Sequence, residues 1–298
     1  VQQMSDGLGR RKTIFCLLGI MVVGVILTAR SINTAMSVIG RIILGMSSEI
    51  FGSSASVLVV EISPPKHRGV ILGMFHSFYY AGSMISSGIT YGTRNMKSNW
   101  SWRIPLIIQI IPTILCACVI LFAPESPRWL AMHGKVDEAR EIFYILENQD
   151  AEAAERLVEE VLNSVVVENK VSQGYGVWKR QFMRKANWHR AFILLNLGNL
   201  AELGGSNIAT YYFNILLDSA GVTDVSTQLQ VAIIRAAWCL VCALFGCYTF
   251  DIIGRKKQAF IATTGLIICL FILGGLIKRY GNTDDTSGQY GAISMMFM

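Results

Sequence analysis

Runs of predominantly apolar residues recur along the chain at 13–29, 35–60, 69–91, 104–123, 191–217, 229–250 and 259–277, and another starts near Tyr290. A helix needs roughly 20 such residues to cross the hydrocarbon core of a bilayer, so the pattern predicts about seven complete transmembrane helices plus the start of another. The strict apolar–polar alternation of a membrane β-barrel is absent from these runs. The run at 35–60 carries Gly40, Gly45 and Gly52 at helical spacing. Small residues in such a stripe let neighbouring membrane helices approach closely.

Between 124 and 190 the pattern changes. Residues 136–147 place Ala139, Ile142, Phe143 and Leu146 on one face, and 151–167 do the same with Ala154, Leu157, Val158, Val161 and Leu162. Both read as amphipathic helices with a charged outer face. They are too polar to span, and their apolar stripes need a surface to cover. They are expected to cap the inner mouth of a bundle.

Basic residues set the orientation. Arg10, Arg11, Lys12, Lys66, Arg68, Arg255, Lys256 and Lys257 fall on one side of the alternating spans, together with the basic ends of 124–190. Only Arg30, Arg94, Lys97, Arg103, Lys278 and Arg279 fall on the other. The first side is therefore expected in the cytoplasm. The net charge of +6 needs no anionic partner beyond this bias.

Composition narrows the class. Of 298 residues, 52% are hydrophobic and 15% charged, and the mean hydropathy is +0.45. A soluble domain is roughly 25% charged. The balance argues against a soluble enzyme, a disordered chain and a nucleic-acid binder, and for an integral membrane protein. Hydrolase, metalloprotease and phosphate-loop motifs are absent, so no enzyme activity, cofactor or metal is expected. The seven cysteines all lie in apolar runs, and they read as buried, inert thiols rather than redox or zinc ligands. The chain opens inside a basic motif and closes inside an apolar run, which suggests part of a longer membrane protein.

An internal repeat carries the strongest signal. Asp6-x-x-Gly9-Arg10-Arg11-Lys12-x-x-Phe15 returns as Asp251-x-x-Gly254-Arg255-Lys256-Lys257-x-x-Phe260. Each copy precedes a span on the cytoplasmic side. That placement predicts two similar helical halves joined by a cytoplasmic tether. Glycine permits a tight loop with unusual backbone angles, and aspartate can cap free helix amides. The arginines then have carboxylates within reach: Glu61, ahead of Arg68, and Glu125, ahead of Arg128. Ion pairs across the two halves would latch an inner gate.

These motifs resemble the sugar porter family of the major facilitator superfamily. The matching residues are Asp6–Arg11, Gly40-Arg41-x-x-x-Gly45, Glu61-x-x-Pro64-x-x-x-Arg68-Gly69, Trp102-Arg103, Pro124–Leu130, Asn207-x-x-x-Tyr211-Tyr212 and Asp251–Lys256. The stretch 101–112 looks most like the fungal lactose-permease-like and hexose-transporter branch. The resemblance implies an all-α membrane protein with twelve helices, a central sugar site and alternating access. On that frame, 1–123 is the N-terminal bundle (family helices 3 to 6), 124–190 the cytoplasmic loop, and 191–298 the C-terminal bundle from helix 7 to the start of helix 10. The expected function is secondary active transport of a mono- or disaccharide across the plasma membrane, with proton symport. A facilitator and a transporter-like nutrient sensor are the alternatives.

A sugar site wants amides and hydroxyls, plus aromatic rings to pack on the pyranose. The run 191–217 supplies Asn196, Asn199, Glu202, Ser206, Asn207, Thr210, Tyr211 and Tyr212. The resemblance marks Asn207 and Tyr211 as sugar contacts, with Gly205 and Tyr212 also matching. Ala201 and Glu202 replace the family's two glutamines, so Glu202 becomes a candidate for both sugar and proton. His76 stands where the family often has glutamine, and Ser83 replaces another polar contact. In proton-coupled relatives the residue matching Arg41 pairs with an acid on the first helix. Glu49 and Arg235 also lie within spans; a mutual or backbone partner and a pore-facing position are both open.

Overall fold

The structure, a computed structural model, describes residues 2–64, 67–146, 150–172, 185–203, 206–211, 213–219, 222–280 and 286–297. All regular elements among them are helices. In order these are α1 (Gln2–Leu8), α2 (Arg10–Ala29), α3 (Thr34–Glu61), α4 (Arg68–Thr93), α5 (Trp100–Ile108), α6 (Ile110–Phe122), α7 (Pro127–Met132), α8 (Val136–Leu146) and α9 (Ala151–Ser172). Then follow α10 (Lys185–Leu203), α11 (Ser206–Tyr211), α12 (Phe213–Ser219), α13 (Val225–Ile253), α14 (Arg255–Tyr280) and α15 (Thr286–Phe297). Two compact units emerge. One holds 1–76 and 92–171, and the other 77–91 and 172–298.

Five described helices are long and apolar enough to cross a membrane: Arg10–Ala29, Thr34–Glu61, Trp100–Phe122, Val225–Thr249 and Lys256–Tyr280. Their outward faces carry side chains such as Ile39, Ile42, Leu115, Phe122, Phe260 and Phe271, all exposed. Continuous apolar surface of this extent is matched by lipid, not water. The predicted run 104–123 is two helices that together form one span. The break falls at Gln109, because Pro112 has no N–H to return to the carbonyl of Ile108. The run 69–91 is helical as α4, but its serines, threonines and tyrosines leave it outside the five apolar spans. The run 191–217 is described as α10, α11 and α12; Gly205 and Tyr212 lie outside the described residues.

Within the first unit, α2 is the central helix. It packs on α3 along its length, and also on α1, α5 and α6. Ile14 and Leu18 of α2 meet Ala55 and Leu58 of α3 in a buried cluster, with Phe51, Phe75 and Ile120 around it. Higher up, the seam narrows to glycine against backbone. A Cβ at Gly40 would lie 2.4 Å from Thr28 Oγ1 and 2.9 Å from the Thr28 amide nitrogen. Thr28 cannot swing clear, since its hydroxyl donates to the Gly24 carbonyl at 2.8 Å. Of the three glycines singled out on this helix, only Gly40 makes such a contact; nothing lies within 4 Å of a Cβ at Gly45 or Gly52.

The amphipathic pair forms as expected, but the stripes largely cover each other. Phe143 of α8 packs with Ala154 and Val158 of α9, and Val136, Leu146, Leu157, Val161 and Leu162 close around them. A helical hairpin buries both stripes at once. Arg140 holds it from outside, donating to Glu155 at 2.8 and 3.2 Å and to Asp137 at 3.0 Å. In the second unit, Phe213, Leu217, Leu273 and Met296 form the buried cluster that gathers α12, α14 and α15. The cysteines depart from expectation. All are free and only Cys247 is buried, while Cys16, Cys118 and Cys242 are exposed on apolar faces where a small thiol is tolerated.

The seam at Gly40 is open to test. An added methyl normally strengthens a helix by about 1 kcal/mol over glycine. Gly40→Ala should instead lose about 1–3 kcal/mol by overpacking against the Thr28 backbone. Gly45→Ala should lose nothing. Thermal melts of the detergent-solubilised full-length protein measure both, and equal melting temperatures would refute the close approach.

Candidate functional site

Two groups of polar residues stand out, one in each unit. The first gathers around Arg10, at the start of α2. Gly9 precedes it with φ of 94°, a left-handed conformation that a side chain would strain. That turn ends α1 and aims α2 so that Arg10 points inward. The Arg10 guanidinium meets Asp6 at 3.0 Å and Glu61, the last residue of α3, at 3.2 Å. The contact from Nε to Glu61 is close but poorly angled, and the hydrogen bond to that carboxylate runs from Nη2 at 3.5 Å. Arg10 and Glu61 are 6% and 14% exposed, so this is a buried ion pair.

Glu125 completes the group from the other end of the unit. It accepts from the backbone N–H of Arg11 at 3.1 Å, and from that of Ser126 at the same distance. Space for it exists because residue 9 is glycine: a Cβ there would sit 2.6 Å from Glu125 Oε2. Ser126 then caps α7 by accepting from the Trp129 N–H at 3.1 Å, and the Trp129 indole donates to the Asp6 carbonyl at 2.9 Å. The second arginine thus meets its expected carboxylate through its main chain, while its guanidinium donates to the Leu121 carbonyl. Each of these described pairs closes within the first unit rather than across two halves. Arg68 donates to the Ser63 carbonyl at 3.1 Å. Glu61, Arg68, Arg128 and Glu160 line a cavity of about 380 Å³ beside α9.

The second copy of the repeat reproduces the backbone. Gly254 has φ of 87° and separates α13 from α14 as Gly9 separates α1 from α2. Lys256 is exposed. The side chains of Asp251 and Arg255 lie outside the described ones.

The second group lies between α4 and α13, which run antiparallel. Ser77 Oγ meets Cys247 Sγ at 3.3 Å, and the Gln230 amide donates to the Tyr91 hydroxyl at 2.9 Å. Between these two ties opens a cavity of about 260 Å³, lined by Tyr79, Tyr80 and Ser83 of α4, Asn207, Thr210 and Tyr211 of α11, and Arg235, Ala236 and Cys239 of α13. Tyr79 and Tyr80 stand edge to face, with ring centroids 5.5 Å apart. The lining therefore offers phenol and hydroxyl groups, one amide, aromatic faces and one guanidinium. Hydroxyls and amides can each donate and accept, which suits a ligand rich in hydroxyls.

Of the residues singled out in the sequence, Ser83, Asn207 and Tyr211 line this cavity together. Glu202 is joined to them indirectly: the Asn207 amide donates to its carboxylate at 2.6 Å and to its carbonyl at 3.1 Å. His76 is exposed, stacked edge-on to Phe75, and does not line the cavity. Arg41 and Glu49 are exposed on α3. Sequence reasoning missed Tyr79, Tyr80 and Cys239. Their signal was helical spacing, since 79, 80 and 83 share a face of α4, as 235 and 239 do on α13.

The Arg10 pair yields a prediction. Arg10→Gln leaves Glu61 buried without its cation and should cost about 3–5 kcal/mol. The double variant Arg10→Gln/Glu61→Gln should recover part of that loss. Arg11→Gln should be mild, because the main-chain bond to Glu125 survives it. Melting temperatures of the four proteins decide; a harmless Arg10→Gln would remove the pair from the account.

The family described as "Sugar (and other) transporter" matches residues 1–298. "Probable polyol transporter 4" of Arabidopsis thaliana is 29% identical over 93% of this chain and 52% of its own length. The "High-affinity glucose transporter" of Kluyveromyces lactis is 28% identical over 95% of this chain and 52% of its own. The solved structure of the proton:xylose symporter XylE from E. coli, bound to 6-bromo-6-deoxy-D-glucose, superposes with a TM-score of 0.76 at 21% identity. That match covers 98% of this chain and 65% of the solved one and establishes the fold. The chain spans about half the length of these curated relatives, which are named as transporters and not as enzymes. It is an integral, multi-pass, all-α membrane protein with the major facilitator fold, and it belongs to the sugar (and other) transporter family.

Proposed function

We propose that the full-length protein is a secondary active transporter that carries a sugar across the plasma membrane by alternating access, in symport with a proton. The observation that carries this reading is the α4–α11–α13 cavity. It collects hydroxyl and amide groups, aromatic faces and the Arg235 guanidinium against the apolar span α13. Polar groups in such a position are costly unless a substrate or water meets them. The relatives' names, a polyol and a glucose transporter, point to the same ligand chemistry.

Glu202 would couple the proton to the sugar. Its carboxylate accepts from the amide of Asn207, and Asn207 lines the cavity. A protonated Glu202 accepts less strongly, which frees the Asn207 amide to turn to a sugar hydroxyl. Proton and sugar occupancy would thereby be linked through one hydrogen bond. The Arg10–Asp6–Glu61 group, with Glu125 on the Arg11 main chain, would brace the cytoplasmic end of the first unit during this cycle.

Uptake of labelled glucose by the full-length protein in a transport-deficient host tests the reading. Asn207→Ala should lower the rate about tenfold, the value of one hydrogen bond to a ligand of roughly 1.4 kcal/mol. A protonophore should collapse accumulation, and Glu202→Gln should make the remaining uptake insensitive to it. Uptake that ignores the protonophore in the unaltered protein would sink symport and leave a facilitator.

A further inference from the structure

Arg235 is a charged residue in the middle of a membrane-spanning helix, and the transport reading above gives it no task. Its side chain is fixed. The guanidinium lies 4.6 Å over the ring of Phe213, which is itself buried in the core of the second unit. Cation–π stacking of this kind orients a guanidinium without neutralising it. Its Nε is buried with no hydrogen-bond acceptor among the described residues. No ion pair joins it to a described carboxylate.

Its position is also particular. Arg235 lines the cavity with Tyr79, Tyr80 and Asn207, and equally a second, adjoining cavity of about 210 Å³ with Ser86, Ser87 and Asn214. Thr210 and Tyr211 are common to both linings, so the cation stands where the two spaces meet. Neither lining contains an acidic side chain among the described residues. Glu202, the acid linked to the site, is turned to Asn207 and lines neither space. The site as built is a set of neutral hydroxyl and amide groups around a single positive charge. A guanidinium carried in the middle of an apolar helix is expensive unless an anion or water meets it. The guanidinium fork is shaped for a carboxylate, which it can hold through two parallel hydrogen bonds.

We propose that the preferred substrate is a carboxylated sugar, a uronic-acid-type monoanion, whose carboxylate is held by Arg235 while its hydroxyls meet Asn207, Ser83 and the tyrosines. This rests on the transport reading and names its substrate class. One cation matches one negative charge, which favours a carboxylate over a dianionic phosphate. Ligand pockets for drug-sized molecules run to roughly 300–1,000 Å³. A space of about 260 Å³ suits a single ring.

The test is direct titration of the purified full-length protein with D-glucose, D-glucuronate and D-glucose 6-phosphate, which share a ring and differ at one carbon. Glucuronate should bind at least tenfold more tightly than glucose. Arg235→Gln should reduce that ratio at least tenfold, and Arg235→Lys, which keeps the charge but loses the fork, should reduce it less. Should Arg235→Gln not yield monodisperse protein, the unaltered protein and Arg235→Lys decide between them. Glucose bound as tightly as glucuronate would overturn the acid preference and leave sugar transport standing. A ratio unmoved by Arg235→Gln would overturn the role of Arg235. Tighter binding of the phosphate would overturn the carboxylate class. Binding of none of the three would overturn both this inference and the transport reading.

Discussion

In hydrocarbon there is no water to accept what the protein leaves unpaired, so every polar side chain on a membrane-spanning helix must be answered from within the protein or by a ligand. Several of the hydroxyls on these helices answer themselves. Thr28, Ser47, Ser56, Thr263 and Thr264 each donate to the carbonyl four residues back, at 2.7–2.8 Å. Such groups carry no functional message. Two other kinds of polar group stand apart: those whose partners come from distant parts of the chain, and those that line a cavity. Arg10, Glu61 and Glu125 belong to the first kind, and Tyr79, Ser83, Asn207 and Arg235 to the second.

The two kinds sit in differently built surroundings. In the first unit, the Gly40–Thr28 contact brings α2 and α3 together closely enough to bury Ile14, Leu18 and Leu58 between them. That rigid pair presents Arg10 and Glu61 at one end. The charge group therefore rests on a closely packed frame. In the second unit, the described ties between α4 and α13 lie at 77 with 247 and at 91 with 230. The stretch between them carries polar side chains, and there the cavity forms.

Much of this was legible in the residues. Span lengths follow from the thickness of a bilayer, and their pattern from the absence of charge. The duplicated Asp-x-x-Gly-Arg motif foretold matching turns, and Gly9 and Gly254 both take left-handed angles there. The stripes of Ala139, Phe143, Ala154 and Val158 are buried as their periodicity required. These are local consequences: helix periodicity, glycine's conformational range and hydrophobic length act within a few residues of the chain.

The remainder needed distances between residues far apart in sequence. No local rule says that Gly40, and neither Gly45 nor Gly52, faces a neighbouring backbone, because that depends on how α3 is rotated against α2. The amphipathic stripes could have covered a membrane bundle or each other; packing pairs them with each other and sets Phe143, Leu157 and Val161 on a space shared with Glu61 and Arg68. His76 and Ser83 lie on one helix two turns apart, yet only Ser83 reaches the cavity. Sequence alone determined that polar and charged residues are embedded in apolar helices, since that is a matter of composition and period. Which of them meet, and which are left facing an empty space large enough for a ligand, was decided by the tertiary structure, because side chains brought together by packing are brought together by nothing else.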